Sequence, residues 1–77
     1  MTRFVLKGKG ELSQANFVVD GDSVHVTALI GAATYIDRPM SKEDARKEWK
    51  RLKERGWKKI EAKEALSVQK LKMYIYD

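Results

Sequence analysis

The sequence predicts a small α+β domain over residues 1–77, with three to five antiparallel strands and one amphipathic helix packed on one face of the sheet. Two alternating apolar runs flank a turn sequence near residue 20. A segment over about residues 41–55 has helical spacing and a cap signal at each end, and an alternating pattern returns near residue 70. A chain of 77 residues is one domain near the lower limit for a self-sufficient core.

Residues 4–6 predict a first short strand, with Phe4 and Leu6 on one face. The glycine-containing stretch over residues 7–10 then ends this strand. A phosphate-binding loop would need a longer glycine pattern followed by a helix N-terminus, and neither follows here. We therefore interpret these glycines as part of an ordinary turn.

Residues 15–29 predict a β-hairpin, because residues 20–23 supply turn-forming side chains between two alternating runs. Burial favours the register in which one face pairs only apolar residues. Those pairs are Val19 with Val24, Phe17 with Val26, and Ala15 with Ala28; the opposite face carries Asn16, Val18, His25 and Thr27. The acidic turn lacks the further ligands of an EF-hand, so we do not interpret it as a calcium site.

A further strand is predicted after this hairpin. Gly31 indicates a bulge or tight turn, and residues 32–36 resume an extended pattern. Pro39 biases Arg38 towards an extended conformation, so we expect residues 37–39 to end the strand before the helix.

The helix is the best-defined element of the sequence. Ser41 is a suitable N-cap and Asp44 follows at the capping-box spacing. Gly56 is placed for a left-handed C-terminal stop, after which Trp57 can fold back over the apolar face. The residues of that face follow i, i+4, i+7 spacing: Ala45, Trp49 and Leu52.

The segment after the helix leaves two alternatives open. Residues 57–62 fit a strand returning along the sheet, whereas residues 61–69 fit a short second helix equally well. From Lys70 the pattern alternates, so residues 70–77 predict a terminal strand with one apolar side: Leu71, Met73 and Ile75.

Residues 40–57 resemble a pattern found in a family of small proteins of marine cyanobacteria and their phages, A-R-x-x-W-x-x-L-x-x-x-G-W. The matching positions are Ala45, Arg46, Trp49, Leu52, Gly56 and Trp57. This family has no established activity, so the resemblance implies no catalytic residue, cofactor or partner.

Composition favours a soluble cytoplasmic protein with an acidic partner. The net charge of +5 favours nucleic acid or another acidic surface, such as that of a host protein. The chain has no cysteine, which excludes disulfides and thiolate zinc sites and fits a reducing compartment. Neither a signal-peptide segment nor a membrane span is expected, so we predict no membrane partner, and either a monomer or a homodimer.

No residue pattern indicates catalysis, a cofactor or a metal. His25 is the sole histidine and lies in a predicted strand, and the serines fit turn or cap positions. Helix carboxylates have basic partners at helical spacing, as in Glu43 with Lys47 and Glu48 with Arg51. We therefore predict a non-enzymatic protein with no metal ligands.

The feature that favours binding is a basic stripe on one flank of the helix. Lys42, Arg46, Lys50 and Lys53 fall within about 80° of helical projection, and no acidic residue lies in that sector. They predict electrostatic contacts with phosphates, and Lys58 and Lys59 could extend the stripe. Tyr74 and Tyr76 could stack on bases, but an ordinary packing role in the sheet or at its edge is the favoured interpretation of both. A solvated helix face is the alternative interpretation of the stripe.

A protein-binding accessory factor is the second functional hypothesis, for example a phage or cyanobacterial modulator of a host complex. Small size and the lack of catalytic patterns favour it. It would use a sheet edge or an uncovered sheet face around Val18, Tyr35, Tyr74 and Tyr76.

Overall fold

The structure is a computed structural model that describes residues 2–10, 12–31 and 34–76. Five strands form one antiparallel sheet in the order β4-β3-β2-β1-β5, and a helix packs on each face. The predicted α+β class is confirmed. The elements are β1 Thr2–Lys7, β2 Gln14–Asp20, β3 Ser23–Gly31, β4 Thr34–Ser41, α1 Lys42–Glu54, β5 Lys58–Ile60, a 3-10 turn Ala62–Glu64, and α2 Val68–Tyr76.

The β2–β3 hairpin has the register predicted from its apolar pairs. Val19 faces Val24, Phe17 faces Val26 and Ala15 faces Ala28. A slip of one residue would move all of these side chains to the other face, so their burial under α1 fixes the register. The turn uses Gly21 at a φ of +61°, which glycine adopts without a Cβ clash.

Both predicted ends of α1 are confirmed. The N–H of Asp44 donates to Ser41 Oγ at 3.1 Å and caps the first turn. At the other end Gly56 has a φ of +95°, its N–H donates to the carbonyl of Lys53, and the N–H of Trp57 donates to that of Leu52. This bonding pattern is a Schellman motif. It turns Trp57 back into the main core, where it is buried together with Leu52.

Strand β4 does not end at residues 37–39, as the sequence predicted, but continues to Ser41. Pro39 pairs with His25 and Met40 with Val24. Proline is tolerated because β4 is an edge strand and bonds only to β3. The register shifts between Leu29 and Gly31, which confirms an irregularity at this point. The predicted strand start at residues 32–33 lies outside the described residues.

The predicted terminal strand at residues 70–77 is wrong, because residues 68–76 form α2 and Asp77 lies outside the described residues. The N–H of Lys70 donates to Ser67 Oγ, which caps this helix. Leu71 is buried and Ile75 half-buried one turn later, whereas Met73, which a strand would place beside them, is 65% exposed. The buried side chains of this segment are therefore spaced as in a helix and not as in a strand.

Between the helices both open alternatives are realised in part. Residues 58–60 form β5, which pairs with β1, and residues 62–64 form a single 3-10 turn. Helix α2 then covers the face of the sheet opposite α1, so the fold has two covering helices rather than one. Polar side chains are buried on this second face: Gln14, Asn16 and Thr27.

Candidate functional site

A groove of about 450 Å³ lies between the N-terminal half of α1 and the sheet. We call it the basic groove. Apolar side chains from β1, β2, β3 and α1 form its floor: Phe4, Phe17, Val19, Val24, Ala45 and Trp49. Three cationic side chains complete its lining: Lys42, Arg46 and Lys59.

The register of β1 and β2 places two aromatic rings in the floor of the basic groove. Phe4 pairs with Phe17 across these strands, so both rings lie on the α1 side of the sheet. Trp49 meets both rings edge to face, with centroids 6.2 Å from Phe4 and 5.2 Å from Phe17. Phe17 is buried, but Phe4 is 38% exposed. The groove therefore offers an accessible aromatic surface.

The three cations come from opposite sides of the basic groove. Lys42 and Arg46 lie one turn apart on α1, whereas Lys59 lies on β5 opposite Leu6. Lys59 Nζ is 5.4 Å from the centroid of the Phe4 ring, within the range of a cation–π contact. Within the described part of the chain, none of the three forms an ion pair.

The structure brings together only three of the six predicted binding residues. Lys50 and Lys53 are exposed further along α1 and do not line the basic groove. Lys58 and Lys59 are adjacent in β5, and alternation along a strand places them on opposite faces of the sheet. Lys58, which pairs with Lys7, therefore lies on the α2 side and does not extend the stripe.

Two of the four carboxylates of α1 have the basic partner that helical spacing predicts, whereas Asp44 and Glu54 form no ion pair with any described residue. Glu43 lies 3.8 Å from Lys47, and Glu48 lies 2.8 Å from Arg51. None of these four residues lines the basic groove. The flank that borders the groove is therefore cationic, and mixed charge is confined to the rest of the helix surface.

A polar cluster that sequence reasoning missed lies on the α2 face. Three side chains contact the Asp37 carboxylate: His25 through Nε2 at 2.7 Å, Thr27 through Oγ1 at 3.1 Å and Tyr76 through Oη at 2.6 Å. All three donate, because a carboxylate can only accept a hydrogen bond. Register brings them together, since Thr27 pairs with Asp37 and His25 lies two residues away on the same face. Alternation along β4 could have predicted this cluster, because it places Asp37 on the same face as its partners. It was missed because the strand was predicted to end at Asp37.

Hydrogen bonding outweighs burial in setting the acidity of Asp37. Its side chain is 10% exposed, and burial alone would raise the pKa. The hydrogen bonds from Tyr76, His25 and Thr27 favour the carboxylate, so the pKa of Asp37 lies below its ordinary value. The hydrogen bond between Tyr76 and Asp37 also raises the pKa of Tyr76, to about 12.

We call Asp37 and its three partners the Asp37 cluster; its hydrogen bond with Tyr76 links the C-terminal turn of α2 to the sheet. Tyr76 donates to Asp37 and also meets the ring of Tyr35 edge to face at 5.7 Å. Tyr76 therefore has a structural role, but the residue is 59% exposed, so stacking by Tyr76 stays a prediction. Tyr74 remains exposed, but it lies on the side of the sheet opposite the basic groove.

Among the described residues no group of three or more His, Cys, Asp or Glu is placed to hold a metal ion. None of the described helices has the length and apolar composition to cross a bilayer. Comparisons of the chain with known protein families, with curated proteins and with solved structures gave no significant match.

Proposed function

We propose that the protein is a non-enzymatic interaction module that binds an acidic partner, nucleic acid, through the basic groove and the adjoining flank of α1. The lining of the groove supports this function, because three cations line it and none of the Asp and Glu residues that the structure describes does. The net charge of +5 favours the same partner at longer range.

The exposure of the cations suits a polyanion. Exposed cations gain little from a single ion pair in water, since solvent and salt screen the attraction. Several cations on one phosphate backbone gain more, because each phosphate that they neutralise releases condensed counterions. Lys42, Arg46 and Lys59, followed along α1 by Lys50 and Lys53, provide such a set.

Two charge-matched variants test the location of this site. In the groove variant, Lys42, Arg46 and Lys59 are replaced by glutamine. In the control variant, three exposed cations outside the groove are replaced by glutamine: Lys47, Lys63 and Lys70. Both variants have the same net charge, so a difference between them reports position rather than total charge.

Binding is measured with labelled DNA and RNA over a salt series that begins at about 50 mM. We expect the groove variant to lose at least about tenfold in affinity, and the control variant to lose much less. The absence of binding at the lowest salt would overturn the proposed function. An equal loss in the two variants would overturn its assignment to the groove.

A protein partner is the second candidate, and exposed apolar side chains on α2 favour it. Met73 and Tyr74 both face solvent. The sheet edges are less suitable, because β4 carries Pro39, which lacks an N–H, and β5 has three residues. Retention of a protein from a nuclease-treated lysate of a marine cyanobacterium, and its loss in a Met73→Glu/Tyr74→Glu variant, would support this candidate over nucleic acid.

A further inference from the structure

We infer that the basic groove receives an unpaired base of single-stranded nucleic acid, while the cations along α1 follow its phosphates. This inference rests on the proposed function and adds the class of nucleic acid. It follows from the combination of an apolar floor with a cationic rim.

The floor of the basic groove is unsuited to a duplex. Six of its nine lining residues are apolar, and the Phe4 ring is accessible from solvent. Paired bases are stacked inside a duplex, which presents phosphates and sugars to a concave surface, so an apolar floor would stay unfilled. An unpaired base has a flat π-face that stacks on aromatic side chains. A volume of about 450 Å³ accommodates one.

The cations of α1 are arranged in a row along the helix axis rather than around one point. At about 1.5 Å per residue, Lys42 and Arg46 are about 6 Å apart along α1, and Lys53 is about 16 Å from Lys42. A single phosphate or carboxylate head group would need donors that converge on it. A row of this length can follow several successive phosphates of one strand, which rises about 3.4 Å per nucleotide along the axis of B-form DNA.

Lys59 links the two parts of the site. Its ammonium group lies over the Phe4 ring in the free protein. A base that stacks on Phe4 displaces this ammonium group, which is then free to contact the phosphate of the same nucleotide. Lys59 therefore exchanges a cation–π contact for a charge-assisted hydrogen bond when the base enters.

Three probes of equal length separate base binding from phosphate binding: an oligothymidylate of about 12 nucleotides, a strand of abasic residues with the same number of phosphates, and the matching duplex. We expect the oligothymidylate to bind about 5- to 150-fold more tightly than the abasic strand, the contribution of one stacked base. In the ¹H–¹⁵N spectrum the indole N–H signal of Trp49 shifts with the oligothymidylate and not with the abasic strand.

Removal of the Phe4 ring tests the site within the protein. Phe4→Leu keeps an apolar side chain in β1 and removes the aromatic face, and Phe4→Ala is a second variant, each checked for folding by circular dichroism. Both variants are expected to bind the oligothymidylate and the abasic strand equally. Tyr74→Ala removes an exposed ring from the other side of the sheet and serves as the control, in which the preference for bases persists.

Each outcome has a distinct meaning. Equal affinity for all three probes in the wild type, or a preference that survives Phe4→Leu, would overturn the inference and leave the proposed function intact. A preference abolished by Tyr74→Ala would move the stacking site to α2 and overturn it as well. Tighter binding to polyglutamate than to any strand would indicate an acidic protein partner instead, and no binding to any polyanion would overturn both proposals.

Discussion

Asn16 and Gln14 are two buried amide side chains on one face of β2, and we expect their replacement to have opposite effects on stability. Asn16 is 0% exposed, and neither its amide nitrogen nor its amide oxygen has a hydrogen-bond partner among the described residues. Gln14 is 2% exposed, but both of its amide atoms bond to the backbone of Leu66, at 2.9 and 3.1 Å. The two residues thus differ in whether their amide groups are hydrogen-bonded, and not in how deeply they are buried.

Asn16→Val is therefore predicted to stabilise the fold. It removes two buried groups that lack partners, and an unsatisfied buried group costs about 1–3 kcal/mol. Valine is also β-branched and suits a strand between Val5 and Thr27. A gain of about 1–3 kcal/mol would raise Tm by about 4–24 °C, since about 1 kcal/mol corresponds to 4–8 °C in a domain of this size.

Gln14→Leu is the matched control and is predicted to destabilise. It leaves the N–H and C=O of Leu66 without their partners, which costs about 1–3 kcal/mol after allowance for the partial exposure of Leu66. Calorimetry and urea unfolding of the wild type and both variants would measure these changes. A loss of stability in Asn16→Val would refute the reasoning, because it would mean that the Asn16 amide is satisfied in solution.

Two further predictions concern the ends of the helices. Because the pKa of folded Asp37 is lowered, its ionisation stabilises the fold above the ordinary value of 3.8, and this contribution is lost as pH falls through the folded pKa. Thermal unfolding from about pH 6 to pH 3 should show this loss in the wild type and a smaller one in Asp37→Asn. Gly56→Ala should cost about 1 kcal/mol in urea unfolding, because alanine is strained at a φ of +95°, whereas Gly31→Ala, at an open position, should change stability much less. Equal effects of the two glycine substitutions would contradict the C-cap assignment.

The parts of the fold that were predicted correctly depend on local signals. The hairpin register followed from apolar cross-strand pairs, and α1 followed from Ser41, its apolar spacing and Gly56, all within a short stretch of chain. The terminal strand was wrong because Leu71 and Ile75 fit both a period of two and a helical turn. Exposure of Met73 decides between them, and that depends on packing against the sheet.

The basic groove was only partly predictable for the same reason. Its helix side, with Lys42 and Arg46, is visible in the sequence as a stripe without acids. Its other side depends on pairing of β5 with β1, which sets Lys59 near Phe4 although the two residues are 55 positions apart. No local pattern specifies that pairing. No local pattern shows, either, that Lys59 faces the basic groove and Lys58 the opposite side of the sheet.

The salt dependence of oligonucleotide binding tests the central claim most directly. For a single strand, each phosphate contact contributes about 0.7 to the slope of log K against log salt concentration. Loss of three contacts in the Lys42→Gln/Arg46→Gln/Lys59→Gln variant should therefore reduce the slope by about 2, whereas the Lys47→Gln/Lys63→Gln/Lys70→Gln variant should keep the wild-type slope. Equal slopes in the wild type and the groove variant would contradict the assignment of the phosphate contacts to the basic groove.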